Sequence, residues 1–373
     1  MKRLFLLFFA LALFTGASAQ TVAPDYFGDE LSEWDKDFRS ADYPRYTVDE
    51  YRAIADNLLA YQNEDGGWPK NLDWLSKKSP AEVVQALDLK HRRSTLDNKN
   101  VYTQVHFLSD VYALTQDERY REAARRGMEY MLDTQYDNGG WRGWDADAIT
   151  FNDGIIYGVL VTWQEVLSRK PRYEWVDDAL LGRIEKSWER GIEMVLKTQY
   201  VRNGVKTVWA QQYDHQTFQP VQARKYELPG LVAGESSAIV MLLMRIKNPS
   251  DEVVEAIESA VRWFEQTKIE GVRIETVEIP EAERTDPKIK RDRIVVEDAG
   301  ASPIWARYYE LDTDRPFFCR RDGVKVYTLA EVPIERRVGY SWYGNWGEKV
   351  LKKYPSWRAK MERDREKANA KRK

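Results

Sequence analysis

The chain has 373 residues, with 57 Lys and Arg against 60 Asp and Glu and a formal net charge of −3. A balance so near zero gives no global field to recruit nucleic acid or an anionic membrane, and neither is expected as a partner. The single cysteine, Cys319, excludes an internal disulfide, and three histidines, His91, His106 and His215, are too few for a His-rich zinc site.

In chain order, Lys2 and Arg3 precede an apolar run over 4–14 and the small residues Ala17-Ser18-Ala19. That is the pattern of a secretory signal peptide over 1–19, and it implies a secreted or periplasmic protein. No later stretch is long and apolar enough to cross a bilayer. One monomeric catalytic domain is expected over 20–360, followed by a charged tail at 361–373. The 14 Trp and 21 Tyr are either large core side chains or walls of a sugar-binding groove, and in an exported protein they lean toward carbohydrate.

An internal repeat comes next. Leu58-Leu59-Ala60-Tyr61-Gln62 leads to Asp65-Gly66-Gly67-Trp68, and Met131-Leu132-Asp133-Thr134-Gln135 leads to Asn138-Gly139-Gly140-Trp141. A fainter copy is Val195-Leu196-Lys197-Thr198-Gln199 with Asn203-Gly204. Each is an amphipathic helix ending in Gln and a turn whose glycines suit a left-handed backbone. Between the turns, helical spacing predicts pairs over 101–115 and 117–135, 154–168 and 180–199, and 231–246 and 251–268, with Ser250 as an N-cap. Three helical hairpins with a repeating turn predict a mainly α fold, a partial α/α toroid; a plain helical bundle is the alternative. Beyond Gly271 the pattern alternates, so 272–277 and 293–296 are expected to pair as short strands among prolines. The charge run at 358–373 predicts a solvated helix or a frayed tail.

The candidate site lies where the first helix of each hairpin begins. Ser94-Thr95-Leu96-Asp97-Asn98, Thr150-Phe151-Asn152-Asp153 and Gly234-Glu235-Ser236 occupy those positions. Any one of them could be a helix cap. In a toroid, however, equivalent helix ends share one face, so their carboxylates converge into a set suited to a hard cation such as calcium. Basic residues follow: Arg224-Lys225, Arg307, Arg320-Arg321 and Arg336-Arg337. They either form surface ion pairs or bind substrate carboxylates bidentately. Acidic ligands with arginines suit an anionic sugar better than a neutral one.

Taken together, these motifs and Ala223-Arg224-Lys225-Tyr226-Glu227-Leu228-Pro229, Trp305-Ala306-Arg307-Tyr308-Tyr309-Glu310, Arg321-Asp322-Gly323-Val324 and Gly339-Tyr340-Ser341-Trp342-Tyr343-Gly344 resemble polysaccharide lyase family 10 pectate lyases. The likeness extends from about Tyr51 to Trp357. It implies a partial α/α toroid with a calcium-assisted cleft that cleaves polygalacturonate by β-elimination to 4,5-unsaturated products. It further implies Asp97 and Asp153 at the metal, Asn98 beside the substrate, Arg224 as the proton-abstracting base, and Arg307 and Arg321 on substrate carboxylate. Lys99-Asn100 after Asp97-Asn98, Gly154 after Asp153, and a short segment over 140–150 depart from the family pattern. Two other readings stay open here: an inverting glycoside hydrolase with Asp97 and Asp153 as its carboxylates, and a non-catalytic oligogalacturonate-binding protein.

Overall fold

The computed structural model describes residues 24–28, 31–32, 44–78, 92–284 and 286–372. The expected signal peptide and His91 lie outside the described residues. The principal helices are α1 (Tyr51–Tyr61), α2 (Tyr102–Thr115), α3 (Glu118–Asp133), α4 (Ile155–Leu167), α5 (Asp178–Thr198), α6 (Ala233–Leu243), α7 (Asp251–Thr267), α8 (Ile334–Gly339) and α9 (Trp346–Arg372). Consecutive helices pack as antiparallel hairpins into a partial α/α toroid with two layers. Helices α2, α4 and α6 form the inner layer; they are apolar on most sides and pack on one another. Helices α1, α3, α5 and α7 form the outer layer. The last three carry polar residues on a solvent face, and Asp117, Asp177 and Ser250 cap them by accepting amide hydrogen bonds.

The repeating turn has a mechanical explanation. Trp68, Trp141, Trp209 and Trp305 each donate an indole N–H to the outer helix just left behind, at Leu58, Met131, Val195 and Phe264, over 2.7 to 3.0 Å. The carbonyls of the first three accept from Thr95, Thr150 and Val232, which lead into the inner helices. One tryptophan therefore clamps the end of one helix to the approach of the next. All four are fully buried, each worth on the order of 4–6 kcal/mol of apolar burial before ordering costs. The abundant tryptophans thus serve mainly the core; the groove suggested by their number is not where these four sit.

The glutamines fasten neighbouring hairpins. The side-chain amides of Gln62, Gln135 and Gln199 donate to a carbonyl of their own turn and to Ala123, Ser187 and Ala256 of the next outer helix, at 2.8 to 3.0 Å. Gly66 and Gly139 have φ of +88° and +91°, and an added Cβ would lie 2.4 and 2.1 Å from the carbonyl oxygens of Arg126 and Arg190. Only glycine satisfies both the dihedral and the clearance.

The third and fourth turns carry insertions. Two short pairs flank the inner helices, β1 (Ala148–Thr150) with β4 (Gln212–Asp214) and β8 (Trp305–Ala306) with β12 (Tyr343–Gly344), while β2 (Val201–Arg202) and β3 (Val205–Lys206) form a hairpin with Asn203 and Gly204 at positive φ. It displaces Trp209 from its glycine. Strands β6 (Val272–Glu278) and β7 (Arg291–Glu297) form an antiparallel ribbon that pairs Arg273 with Val296, as the alternating pattern predicts. A sheet ordered β11-β10-β9-β5, built from Lys325–Val326, Pro316–Cys319, Tyr308–Tyr309 and Leu231–Val232, covers a smaller core that contains Phe317, Cys319 and Trp342. Leu231 and Val232 are therefore strand, and the helix expected from 231 begins at Ala233 because these two residues pair with Tyr309 and Tyr308. Helix α9 packs on α6 and α7 and runs through 360 without interruption, with Met361 buried.

Candidate active site

The loop before α2 is held open by its own hydrogen bonds. Asn100, fully buried, donates to the carbonyls of Trp68 (2.6 Å) and Thr95 (2.8 Å) and accepts from Gln104 (2.8 Å). Val101 then has φ 72° and ψ −59°, and the Tyr102 amide reaches back to Asn100 at 3.0 Å. This is a γ-turn of the rare hand, costing on the order of 1–3 kcal/mol for a β-branched residue. It turns the chain sharply into the helix and leaves Asp97, Asn98 and Lys99 on the loop. Asn98 and Lys99 take φ of 54° and 60°; Asp153 and Gly154, at the matching place in the second hairpin, take 52° and 71°. Lys99 thus occupies a left-handed position that glycine fills next door. Its side chain is exposed, and Cγ lies 3.9 Å from where a Gly154 Cβ would be.

Asp97, Asp153 and Glu235 gather at these helix starts around Arg307, with Arg224, Glu227 and Asp145 close by in loops. Asp97 is buried and ion-paired to Lys70. Asp153 is buried enough that desolvation, followed by the charge of Asp97, pushes its carboxyl from 3.8 up to about 7, against the opposing pull of Arg307. Arg307 donates to Asn152 Oδ1 at 2.9 Å and Glu235 Oε1 at 3.1 Å, and lies over the Tyr340 ring at 4.4 Å. Its guanidinium is nearly sealed from solvent and held well above its usual range by Tyr340 and Glu235, which outweigh its desolvation. Arg224 pairs with Glu227, which also accepts the Arg224 backbone amide at 3.1 Å. Burial works to depress the Arg224 pKa, but Glu227 and Asp145 prevail and raise it. Its Nε stands 3.6 Å from Asp145, across the cleft. Arg321 is more peripheral: it pairs with Glu335 at 3.2 Å and lies 5.4 Å from the Tyr226 ring, a ring shared with Arg224 and Arg336. Asn98 bonds to Asn71 at 2.7 Å. The helix starts thus bring Asp97, Asp153 and Arg307 into electrostatic reach of one another, with Arg224 at the same cleft.

A family model described as pectic acid lyase matches residues 62–351. The chain belongs to the pectic acid lyase family. Among solved structures it is similar to a family 10 polysaccharide lyase from Cellvibrio cellulosa, at 29% identity and a TM-score of 0.67, covering 83% of this chain and 95% of that one. An aspartate-to-alanine mutant of a family 10 polysaccharide lyase from the same organism, in complex with trigalacturonic acid, matches at 29% identity and a TM-score of 0.67, covering 84% and 99%. A search of curated proteins gave no match. The chain is a polysaccharide lyase, and this displaces both the hydrolase and the non-catalytic readings.

Several residues of the candidate site escape sequence reasoning. Lys70, Gly143, Gln211 and Arg307 each stand two residues after a clamp tryptophan. Lys70 holds Asp97, Gly143 lines the cleft with Asp97 and Asn152, Gln211 reaches Glu227 at 3.4 Å, and Arg307 holds Asn152. Only Arg307 was legible, from its motif. The signal for the others was the offset from tryptophan, obscured where the third turn lengthens. Of the described histidines, His106 is structural: half-buried, bonded to Thr162 at 2.8 Å, its pKa lowered to about 3 by desolvation. His215 stacks on Tyr136.

The candidate cleft is lined by Asp97, Gly143, Trp144, Asp145, Asn152 and Glu227 and has about 10 Å³ of free room. A roomier cavity of about 550 Å³, between Arg245 and Arg365, shares no residue with it. Among the described residues no three His, Cys, Asp or Glu side chains are close enough to hold a metal by themselves. The Asp97–Asp153 repulsion nevertheless fits a hard cation, provided that six to eight oxygens are completed by Asn98, Asn152 and the substrate.

Proposed function

We propose that this lyase is a pectate lyase that cleaves polygalacturonate by calcium-assisted β-elimination and yields 4,5-unsaturated oligogalacturonates. The observation that carries the reading is the meeting of two mutually repelling carboxylates, Asp97 and Asp153, with the buried Arg307 guanidinium. A neutral sugar has no use for that surplus of placed charge, whereas a uronate and a divalent cation together satisfy it. The complex of a Cellvibrio family member with trigalacturonic acid supports the same substrate class. We place the protein outside the cytoplasm, on the signal-peptide pattern of 1–19.

Elimination removes the C5 proton next to a uronate carboxylate and then breaks the C4–O4 bond. The C5 proton is weakly acidic while that carboxylate keeps its charge. Arg307, and Arg321 nearer the rim, neutralise the carboxylate and stabilise the enolate-like transition state. Asp97 and Asp153 would hold calcium, whose chemistry is to withdraw further charge from the same carboxylate, with Asn98 beside the substrate. Arg224 is the base. Glu227 favours its protonated form before substrate arrives, so the role requires substrate and cation to weaken that pair.

The deciding experiment incubates the purified protein with polygalacturonate and calcium and follows ultraviolet absorbance of the unsaturated product. Absorbance should rise, stop on chelation and resume with calcium. Saturated reducing ends without absorbance would reject the reading. Arg224→Ala should lower kcat by about 10²–10⁴-fold without altering the fold; near-normal turnover would remove the arginine from the base role.

A further inference from the structure

Immediately beyond Asp97 lies a second cavity, of about 320 Å³, whose walls include Arg93, Ser94, Thr134, Arg142, Gly143 and Trp144. It shares Gly143 and Trp144 with the cleft, and its Thr95 and Leu96 lead directly to Asp97. The volume falls at the lower end of the range of about 300–1,000 Å³ found for small-molecule sites. The Trp144 indole forms the partition: Lys70, the partner of Asp97, lies 4.7 Å from its centroid, and the Arg93 guanidinium lies 3.9 Å from it. Arg93 also donates to the Trp144 carbonyl at 3.2 Å, so its fork is pinned to the ring. Gly143 fixes the partition, since an added Cβ would meet Thr150 at 2.9 Å while its amide donates to Thr150 Oγ1 at 3.0 Å.

Among the described residues, the charge of this cavity is only loosely compensated. Arg142 has Asp147 at 3.9 Å, both largely in solvent, and Asp147 already accepts from Tyr136 at 2.5 Å. Asp65, the nearby acid at its rim, is engaged by Ser94 at 2.6 Å and the Gly67 amide at 3.0 Å. A guanidinium lying flat on an aromatic face keeps edge N–H groups for a carboxylate, and a planar fork matches that acceptor bidentately. We propose that this cavity is an outlying subsite that receives the carboxylate of a galacturonate residue beyond the scissile bond, through Arg93 and Arg142. The proposal rests on the pectate reading of the neighbouring cleft: each further sugar of such a polymer brings another carboxylate, and the cleft wall opens onto two arginines.

The test is calorimetric titration of the full-length protein with trigalacturonate and hexagalacturonate, beside the Arg93→Met/Arg142→Met double variant, which keeps the aliphatic stems. The parent should bind the hexamer more tightly than the trimer. The double variant should lose that gain, by about tenfold or more, with trimer affinity unchanged. Equal weakening for both lengths, or no gain with length in the parent, overturns the subsite. The Arg93→Lys/Arg142→Lys variant keeps charge without the fork and should restore only part of the gain; full restoration overturns the bidentate role. A length-dependent affinity with no unsaturated product from the parent would sink the cleavage reading and leave the subsite standing.

Discussion

At the scale of single residues, Asp153 carries the most information. Its folded-state carboxyl keeps a proton up to about pH 7, whereas an unfolded chain releases it near 3.8. Stability is therefore lost as pH rises between those values, on the order of 4 kcal/mol at most. In chelator, Asp153→Asn should melt above the parent at pH 8 and level with it near pH 3, and adding calcium should stabilise the parent more at pH 8 than at pH 5. Equal destabilisation by the asparagine at both pH values would defeat the assignment. Arg224 offers a second test through its partner. Glu227→Gln removes the charge that holds the guanidinium protonated, so the ascending limb of the kcat–pH profile, where the base loses its proton, should move down by about one unit or more. An unmoved limb would place the ionisation that governs turnover elsewhere.

At the scale of elements, the turns govern which residues meet. Gly139 and Gly204 both have positive φ, but only Gly139 is crowded, with Arg190 oxygen 2.1 Å from a notional Cβ and nothing within 4 Å at Gly204. Gly204→Ala should cost about 1 kcal/mol and Gly139→Ala clearly more, readable as unequal losses in Tm; equal losses would mean that the contact with Arg190 yields freely. The same turns explain what was legible in the sequence. The outer helices announced themselves by amphipathic spacing, the last of them also by Ser250 as a cap, and the Gln and Gly-Gly-Trp signals marked the first two hairpins. The third tryptophan was missed because a β-hairpin separates it from Gln199, and the fourth because a long ribbon precedes Trp305 and Lys268 stands where the glutamine would be. Asp97, Asp153 and Arg307 were legible from helix position and motif. Lys70 was not, since its role depends on where a clamp turn comes back over the cavity, a tertiary relation that local pattern does not encode.

At the scale of the whole molecule, the large core of the helical layers and the smaller core under the β11-β10-β9-β5 sheet are separate packing units joined through the site arginines and tyrosines. Cys319 lies in the smaller one, fully buried, its thiol pushed up to about 11 by desolvation. At pH 8 a thiol reagent should label it only as fast as that unit opens, and labelling on mixing of the native protein would contradict the packing. The four tryptophan clamps carry a last consequence. Because each fixes the chain on either side, the residue two places downstream is delivered to the cleft from an anchored point of the backbone. Retuning which polymer decoration the enzyme tolerates, or which end of a strand it grips, therefore begins at addresses 70, 211 and 307 before any rebuilding of helices, while 143 stays glycine as long as Thr150 keeps its place.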